Sequence, residues 1–149
     1  MGELNDAALM REALAEALKG EAQGGIPIGA VLVRDGTVIG RGHNQRVQLG
    51  SPTRHGEMDC FENAGRQRSY RDTTLYTTLS PCMMCSGTVV QFGIPRVVIG
   101  ENRTFGGNEA FLRERGVDVH VLDDLECKAA MDRFIAANPA LWNEDIMVE

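Results

Sequence analysis

The dipeptide Asp35-Gly36 restricts the fold more than any other short stretch of this chain. A two-residue hairpin of type I′ needs positive φ at both central positions, which Asp tolerates and Gly favours. The apolar run 28–33 precedes it as a buried-strand candidate, and 37–40 begins the return. The sheet therefore contains an antiparallel pair. Downstream, strand and helix patterns alternate. Residues 73–78 are rich in Thr, Leu and Tyr, 96–99 form a short apolar run before Gly100, and 117–122 alternate apolar and polar side chains. Between them, 82–92 reads as a helix closed by Gly93, and 109–115 as a short helix stopped by Gly116. Residues 4–19 carry apolar side chains at helical spacing and meet a stop at Gly20. A helix is expected over about 55–64, with Ser51 or Thr53 as its N-cap. A last helix spans 124–137 and ends at Asn138-Pro139. Strands joined through helices must run parallel. The expectation is an α/β fold, a three-layer α/β/α sandwich around a central five-stranded mixed sheet.

The 149 residues suit one domain, which at this size buries roughly 70% of its unfolded surface without needing disulfides. The net charge of −6 argues against tight binding to nucleic-acid backbones, where Lys and Arg supply most of the affinity. Four cysteines are too few for a disulfide-built secreted scaffold. The first residues lack the cationic start and apolar stretch of a secretory signal, and no apolar run approaches 18 residues. A reducing cytoplasm and no membrane partner are expected.

Open α/β sheets place ligands where strands hand over to helices. One such junction carries His55-Gly56-Glu57 and another Pro81-Cys82-Met83-Met84-Cys85. Cys82 and Cys85, three apart, share a helix face at a helix start, where the dipole favours thiolate and metal binding. His55 completes a three-ligand zinc set, leaving the open fourth position of catalytic sites. Two thiolates cancel the metal's formal charge and weaken it as a Lewis acid, so a carboxylate must take the proton of the attacking water. Glu57 fits that role, and can return protons to a ring nitrogen and to a departing amine. His-x-Glu followed by Pro-Cys-x-x-Cys is the signature of zinc-dependent hydrolytic deaminases. Two plainer readings compete: a redox Cys-x-x-Cys pair, or half of a structural zinc site completed by Cys60 or His43. Neither uses Glu57.

These residues resemble the cytidine deaminase-like superfamily, and within it the fungal-type, free-base cytosine deaminases. The resemblance runs from about Glu12 to Asp145. It is carried by Gly25-Ile26-Pro27-Ile28-Gly29, Gly40-Arg41-Gly42-His43-Asn44, His55-Gly56-Glu57 and the run from Asp72 through Cys82. Gly93-Ile94-Pro95-Arg96, Gly100-Glu101-Asn102 and Trp142-x-Glu144-Asp145-Ile146 complete it. It implies hydrolysis of cytosine to uracil and ammonia by a homodimer, with a small nucleobase as partner and Zn2+ as cofactor. It assigns His55, Cys82 and Cys85 to zinc and Glu57 to proton transfer. Asn44 would bond the polar edge of the pyrimidine, helped by the Gly56 backbone, and Asp145 would accept from the 4-amino group. Phe105, Trp142 and Ile146 would cover the base, with Ile28 on the wall and residues 139–149 as a C-terminal lid. An amide offers an acceptor beside donors, which suits a carbonyl next to a ring N–H. A carboxylate accepts from an amine but repels a carbonyl oxygen. The chain departs from the fungal pattern at Met58-Asp59-Cys60, and in the loop Gly106-Gly107-Asn108, about one residue shorter. Both departures bear on substrate identity.

Other deaminase substrates compete: guanine, isocytosine, an aminotriazine, or adenosine in tRNA. A non-catalytic zinc scaffold is the reading outside enzymology. Among the remaining residues, His43 is expected to support Asn44, and His120 to sit at a sheet edge or face a partner. Cys60 and Cys127 read as reduced thiols. Met83, Met84, Val89 and Val90 give the helix after Cys82 more apolar surface than one face can hide, which points to a dimer interface.

Overall fold

The computed structural model describes residues 5–149. Asp35 and Gly36 take φ of 50° and 75° and join β1 (Gly29–Arg34) to β2 (Thr37–His43) as an antiparallel hairpin. A bulge falls between Leu32 and Val33. The five strands lie in the order β2-β1-β3-β4-β5, with β3 (Thr73–Leu79), β4 (Arg96–Glu101) and β5 (Asp118–Val121). β1 pairs antiparallel with β3, whereas the β3–β4 and β4–β5 pairs are parallel. The sheet is mixed for the reason given by the sequence: one tight turn, then helical crossovers.

Side chains alternate across the sheet and divide the core into two layers. Ala30, Leu32, Leu75, Val97 and Ile99 point to one face, where α3 (Gly56–Ala64), α4 (Met83–Phe92) and α5 (Glu109–Glu114) contribute Phe61, Val89 and Leu112. Val31, Val33, Tyr76 and Val98 point to the other. There α1 (Asp6–Ala22) lays down Leu9, Met10, Ala13, Leu14 and Ala17, and α6 (Leu125–Ala137) supplies Cys127. A third cluster gathers Ile26, Ile28, Leu79, Met131, Phe134 and Trp142 at one end of the sheet. α1 approaches β1 so closely that a Cβ on Gly29 would lie 2.2 Å from the Ala13 carbonyl oxygen. Among the described residues, no helix is long and apolar enough to cross a membrane.

Several boundaries differ from expectation. Leu4 lies outside the described residues. α1 does not stop at Gly20 but continues to Ala22. Gly20 serves close packing instead: a Cβ there would come within 2.9 Å of the His43 ring. Gly100 likewise lies inside β4, where a Cβ would sit 2.6 Å from the Thr78 carbonyl oxygen. Neither Ser51 nor Thr53 caps α3. The Ser51 hydroxyl accepts from the N–H groups of Thr53 and Arg54, and His55 occupies the N-cap position. Two helices were not anticipated, α2 (Arg46–Leu49) and α7 (Pro139–Asp145).

Candidate active site

His55 and Cys82 occupy equivalent places. Each is the extended residue before a helix, with ψ of 166° and 176° respectively. The backbone there has not begun to coil, so both side chains project from helix starts toward a common point at the ends of β1 and β3. Cys85 follows on the first turn of α4. His55 Nδ1 lies 3.4 Å from Cys82 Sγ and 3.8 Å from Cys85 Sγ. All three ligand atoms fall within 4.8 Å of one another. Tetrahedral zinc with ordinary Zn–N and Zn–S bonds needs separations of roughly 3.5–3.8 Å, so the donor set fits that ion in both spacing and chemistry. Cys60 and His43 stand elsewhere. Cys60 Sγ faces the Gly40 carbonyl, and His43 bonds Glu16 and Gln23. A fourth protein ligand from either is therefore ruled out.

The charges are ordered for metal capture. The Cys85 thiol and His55 together hold Cys82 down to about 4, against the effect of burial. Cys85 itself is pushed well up by the adjacent Cys82 and by burial. Burial works to lower His55, but the Cys82 hydrogen bond and the Asp145 and Glu57 charges outweigh it and raise it to about 9. Glu57 is buried on the first turn of α3 and rises to about 7, mainly through burial and then through Cys82. A carboxyl group poised near neutrality can both accept and donate a proton.

A cavity of about 20 Å³ lies against this cluster. Ile28, His55, Glu57, Cys82, Phe105, Trp142, Asp145 and Ile146 line it, together with Leu79 and Ser80. Phe105 and Trp142 meet edge to face, their centroids 6.4 Å apart. Asp145 arrives from the end of α7. Its Oδ1 accepts from Asn44 Nδ2 at 3.0 Å and faces His55 Nε2 at 3.5 Å. His55 thus turns Nδ1 toward the sulfurs and Nε2 toward a carboxylate, the arrangement that fixes the tautomer of a metal-binding imidazole. Burial raises the Asp145 carboxyl, against the opposing pull of His55, Asn44 and Arg46.

Asn44 and Gly56 stand behind the cavity wall. Asn44 is fully buried, and both ends of its amide are engaged: Nδ2 by Asp145, Oδ1 by the Arg46 N–H at 3.0 Å. Gly56 opens α3 where a Cβ would lie 2.9 Å from the Ile28 carbonyl oxygen. Sequence reasoning missed Ser80, whose hydroxyl donates to Glu109, and Asn108, whose amide reaches the Pro81 carbonyl at 3.1 Å. These two bonds pin the loop after Phe105 to the segment that starts α4. Glu101 was also missed as a site support. It is fully buried, and its Oε1 accepts from the N–H groups of Arg103 and Thr104 just before Phe105. Nothing in the local pattern signals the Ser80–Glu109 and Asn108–Pro81 pairs, 29 and 27 positions apart.

Residues 4–101 match the family model described as the cytidine and deoxycytidylate deaminase zinc-binding region. Cytosine deaminase of Candida albicans is 51% identical over 140 residues, covering 92% of this chain and 93% of that protein. A tRNA-specific adenosine deaminase of Streptococcus pyogenes serotype M18 is 44% identical over 105 residues, 68% of this chain and 66% of that one. Guanine deaminase from Nitrosomonas europaea superposes with a TM-score of 0.72 at 22% identity, covering 87% and 84% of the two chains, a likeness of fold alone. With the matched region spanning β1 to β4 and holding every residue of the metal cluster, the chain belongs to the zinc-binding cytidine and deoxycytidylate deaminase family.

Proposed function

We propose that this protein hydrolyses free cytosine to uracil and ammonia. The observation that carries the reading is Asp145, a buried carboxylate lining the same small cavity as Glu57 and the metal cluster. It is supported by the near full-length likeness to the Candida cytosine deaminase. Zinc, when bound by His55, Cys82 and Cys85, supplies the Lewis acidity that lets water ionise near neutrality. Glu57 takes that proton and delivers it to the ring nitrogen next to the reacting carbon. As the carbon–nitrogen bond breaks, the second proton of the water leaves through Glu57 on the amine, which departs as ammonia. Water supplies one oxygen and two protons, and the base gains a carbonyl. Asp145 accepts from the 4-amino group, so it favours substrate over the carbonyl of the product. Asn44 and the Gly56 backbone contribute to the polar edge of the base, and Ile28, Phe105, Trp142 and Ile146 to its cover.

A cavity of about 20 Å³ has room for roughly one water. Admission of a base therefore requires the cover to move. We read residues 1–149 as one deaminase domain, with 139–149 as the lid that opens. Met83 is exposed on α4 beside half-buried Met84 and Val90, which supports a homodimer formed through that helix. The same reading makes the protein a cytoplasmic pyrimidine-salvage enzyme.

The test is ammonia release by the zinc-loaded protein from cytosine, cytidine, guanine, isocytosine and adenosine. Cytosine should turn over. Glu57→Ala should lose about 10²- to 10⁴-fold in kcat while keeping one zinc per chain, given the usual contribution of a positioned acid–base group. Turnover of another base with none of cytosine would overturn the substrate assignment.

A further inference from the structure

We propose that Arg46 is a positioning residue for substrate binding, which fixes the last helix and the orientation of Asp145. The inference rests on the reading of Asp145 as a substrate contact. It starts from how little holds α7 by itself. Seven residues are too few for a helix to persist without tertiary anchors. One side of α7 is held by the packing of Trp142 in the apolar cluster at the end of the sheet. The polar side is held by Arg46.

The Arg46 side chain is only 8% exposed. One terminal nitrogen donates to the Pro52 carbonyl at 3.1 Å, on the loop that leads to His55. The other donates to Glu144 Oε2 at 3.3 Å. Nε lies 3.6 Å from Asp145 Oδ1, buried and without a hydrogen-bond partner. A charged N–H is thus held at ion-pair range, just short of a hydrogen bond. The Arg46 backbone adds a fourth contact, since its N–H takes Asn44 Oδ1 and leaves Nδ2 as the end of the amide facing Asp145. One residue therefore supplies one of the groups that face the Asp145 carboxylate and orients a second.

The contacts share a further property. Among the described residues, Asn44, His55 and Arg46 all reach Oδ1 of Asp145. The carboxylate is held by one oxygen, which leaves Oδ2 available to a ligand. A planar guanidinium can bridge a backbone carbonyl and two neighbouring carboxylates from fixed directions, and an ammonium cannot. Arg46 acts on the position of Asp145 and never touches the reacting atoms, so its removal should weaken binding of the base and spare the chemical step.

The experiment compares zinc-loaded wild type, Arg46→Ala, Arg46→Lys and Asp145→Asn. Two readouts are taken: steady-state kinetics on cytosine, and amide hydrogen exchange across residues 139–146 without substrate. Arg46→Ala should raise KM about 10- to 100-fold, at or below the usual loss for a hydrogen-bonded buried pair because Nε stops at ion-pair range from Asp145, with kcat within about threefold. Exchange should quicken over 139–146 and stay unchanged in the sheet. Arg46→Lys should recover part of both effects. If the alanine variant does not fold, Arg46→Gln keeps a donor for Pro52, loses the charge and enters the same comparison. Unchanged exchange and unchanged KM in the Arg46 variants, with KM raised in Asp145→Asn, would overturn the proposal and leave the substrate reading standing. No change in KM for Asp145→Asn would instead remove the substrate reading on which it rests.

Discussion

The metal cluster makes a quantitative prediction about protons. Zinc binding requires a neutral imidazole and two thiolates. The metal-free site does not hold its ligands in that form. His55, raised to about 9, carries a proton at neutral pH, and Cys85 keeps its own. Cys82, held down to about 4, is already a thiolate. Loading should therefore expel two protons, one from His55 and one from Cys85, throughout the range from about pH 5 to 8. Each expelled proton raises the apparent affinity about tenfold per pH unit. Two give about 100-fold per unit, near 2.7 kcal/mol, so affinity rises with pH on a constant slope of two. The slope should climb toward three below about pH 4, where Cys82 gains a proton, and fall toward one above about pH 9, where His55 loses it. With ordinary values near 6.5 for His and 8.5 for Cys the curve differs in shape: slope three below pH 6 and two at pH 7.5. The measurement is zinc affinity by chelator competition from pH 5 to 8, with proton release from the buffer dependence of the calorimetric heat. It is best made in Glu57→Gln, which removes a site group that titrates at about 7 while keeping the larger causes that raise His55, the Cys82 hydrogen bond and the Asp145 charge. A slope that steepens from two at pH 7.5 to three at pH 5.5 would refute the charge arrangement.

Two structural substitutions test the framework around the site. Gly29→Ala places a Cβ 2.2 Å from the Ala13 carbonyl oxygen and 2.4 Å from the Ala17 nitrogen, both backbone, so α1 must lift off β1. Overpacking of this kind costs about 1–3 kcal/mol or more, which denaturant unfolding of the zinc-loaded protein should register. Glu101→Ala releases the N–H groups of Arg103 and Thr104 in the turn that leads to Phe105. Each of these part-buried hydrogen bonds contributes about 0.5–1.5 kcal/mol. The variant should lower the unfolding midpoint and raise KM for the base, while a variant with unchanged KM would show that the turn does not position Phe105.

How much of this was legible in the sequence depends on the range over which each signal acts. Asp35-Gly36 announced the hairpin because the requirement for positive φ is local, and both residues adopt it. The apolar runs at 28–33 and 96–99 marked buried strands for a similar local reason, since a strand covered on both faces reads as a continuous apolar stretch. The metal cluster was legible because His55 and Cys82 each sit at the boundary between a strand-like residue and a helix, a place that turn and helix-start residues mark. Gly20 and Gly100 misled for the opposite reason. Locally each reads as a stop, yet each is small because His43 or the Thr78 carbonyl crowds it from across the fold. α7 did leave a signal, since Pro139 stands at its first turn, where proline is welcome, although the same Asn138-Pro139 pair also reads as the end of α6. The contacts that shape the substrate side left none. Arg46 meets Glu144 across 98 positions, Asn44 meets Asp145 across 101, and Ser80 meets Glu109 across 29. Such pairs have no period and no spacing rule. The metal chemistry is therefore written in two short segments at helix starts. The cavity is bounded where the start of α3, the end of β3, Phe105 and α7 come together. On the proposed reading, change at Arg46, Glu101 or Asp145 retunes which base is accepted while His55, Glu57, Cys82 and Cys85 keep the hydrolytic chemistry unchanged.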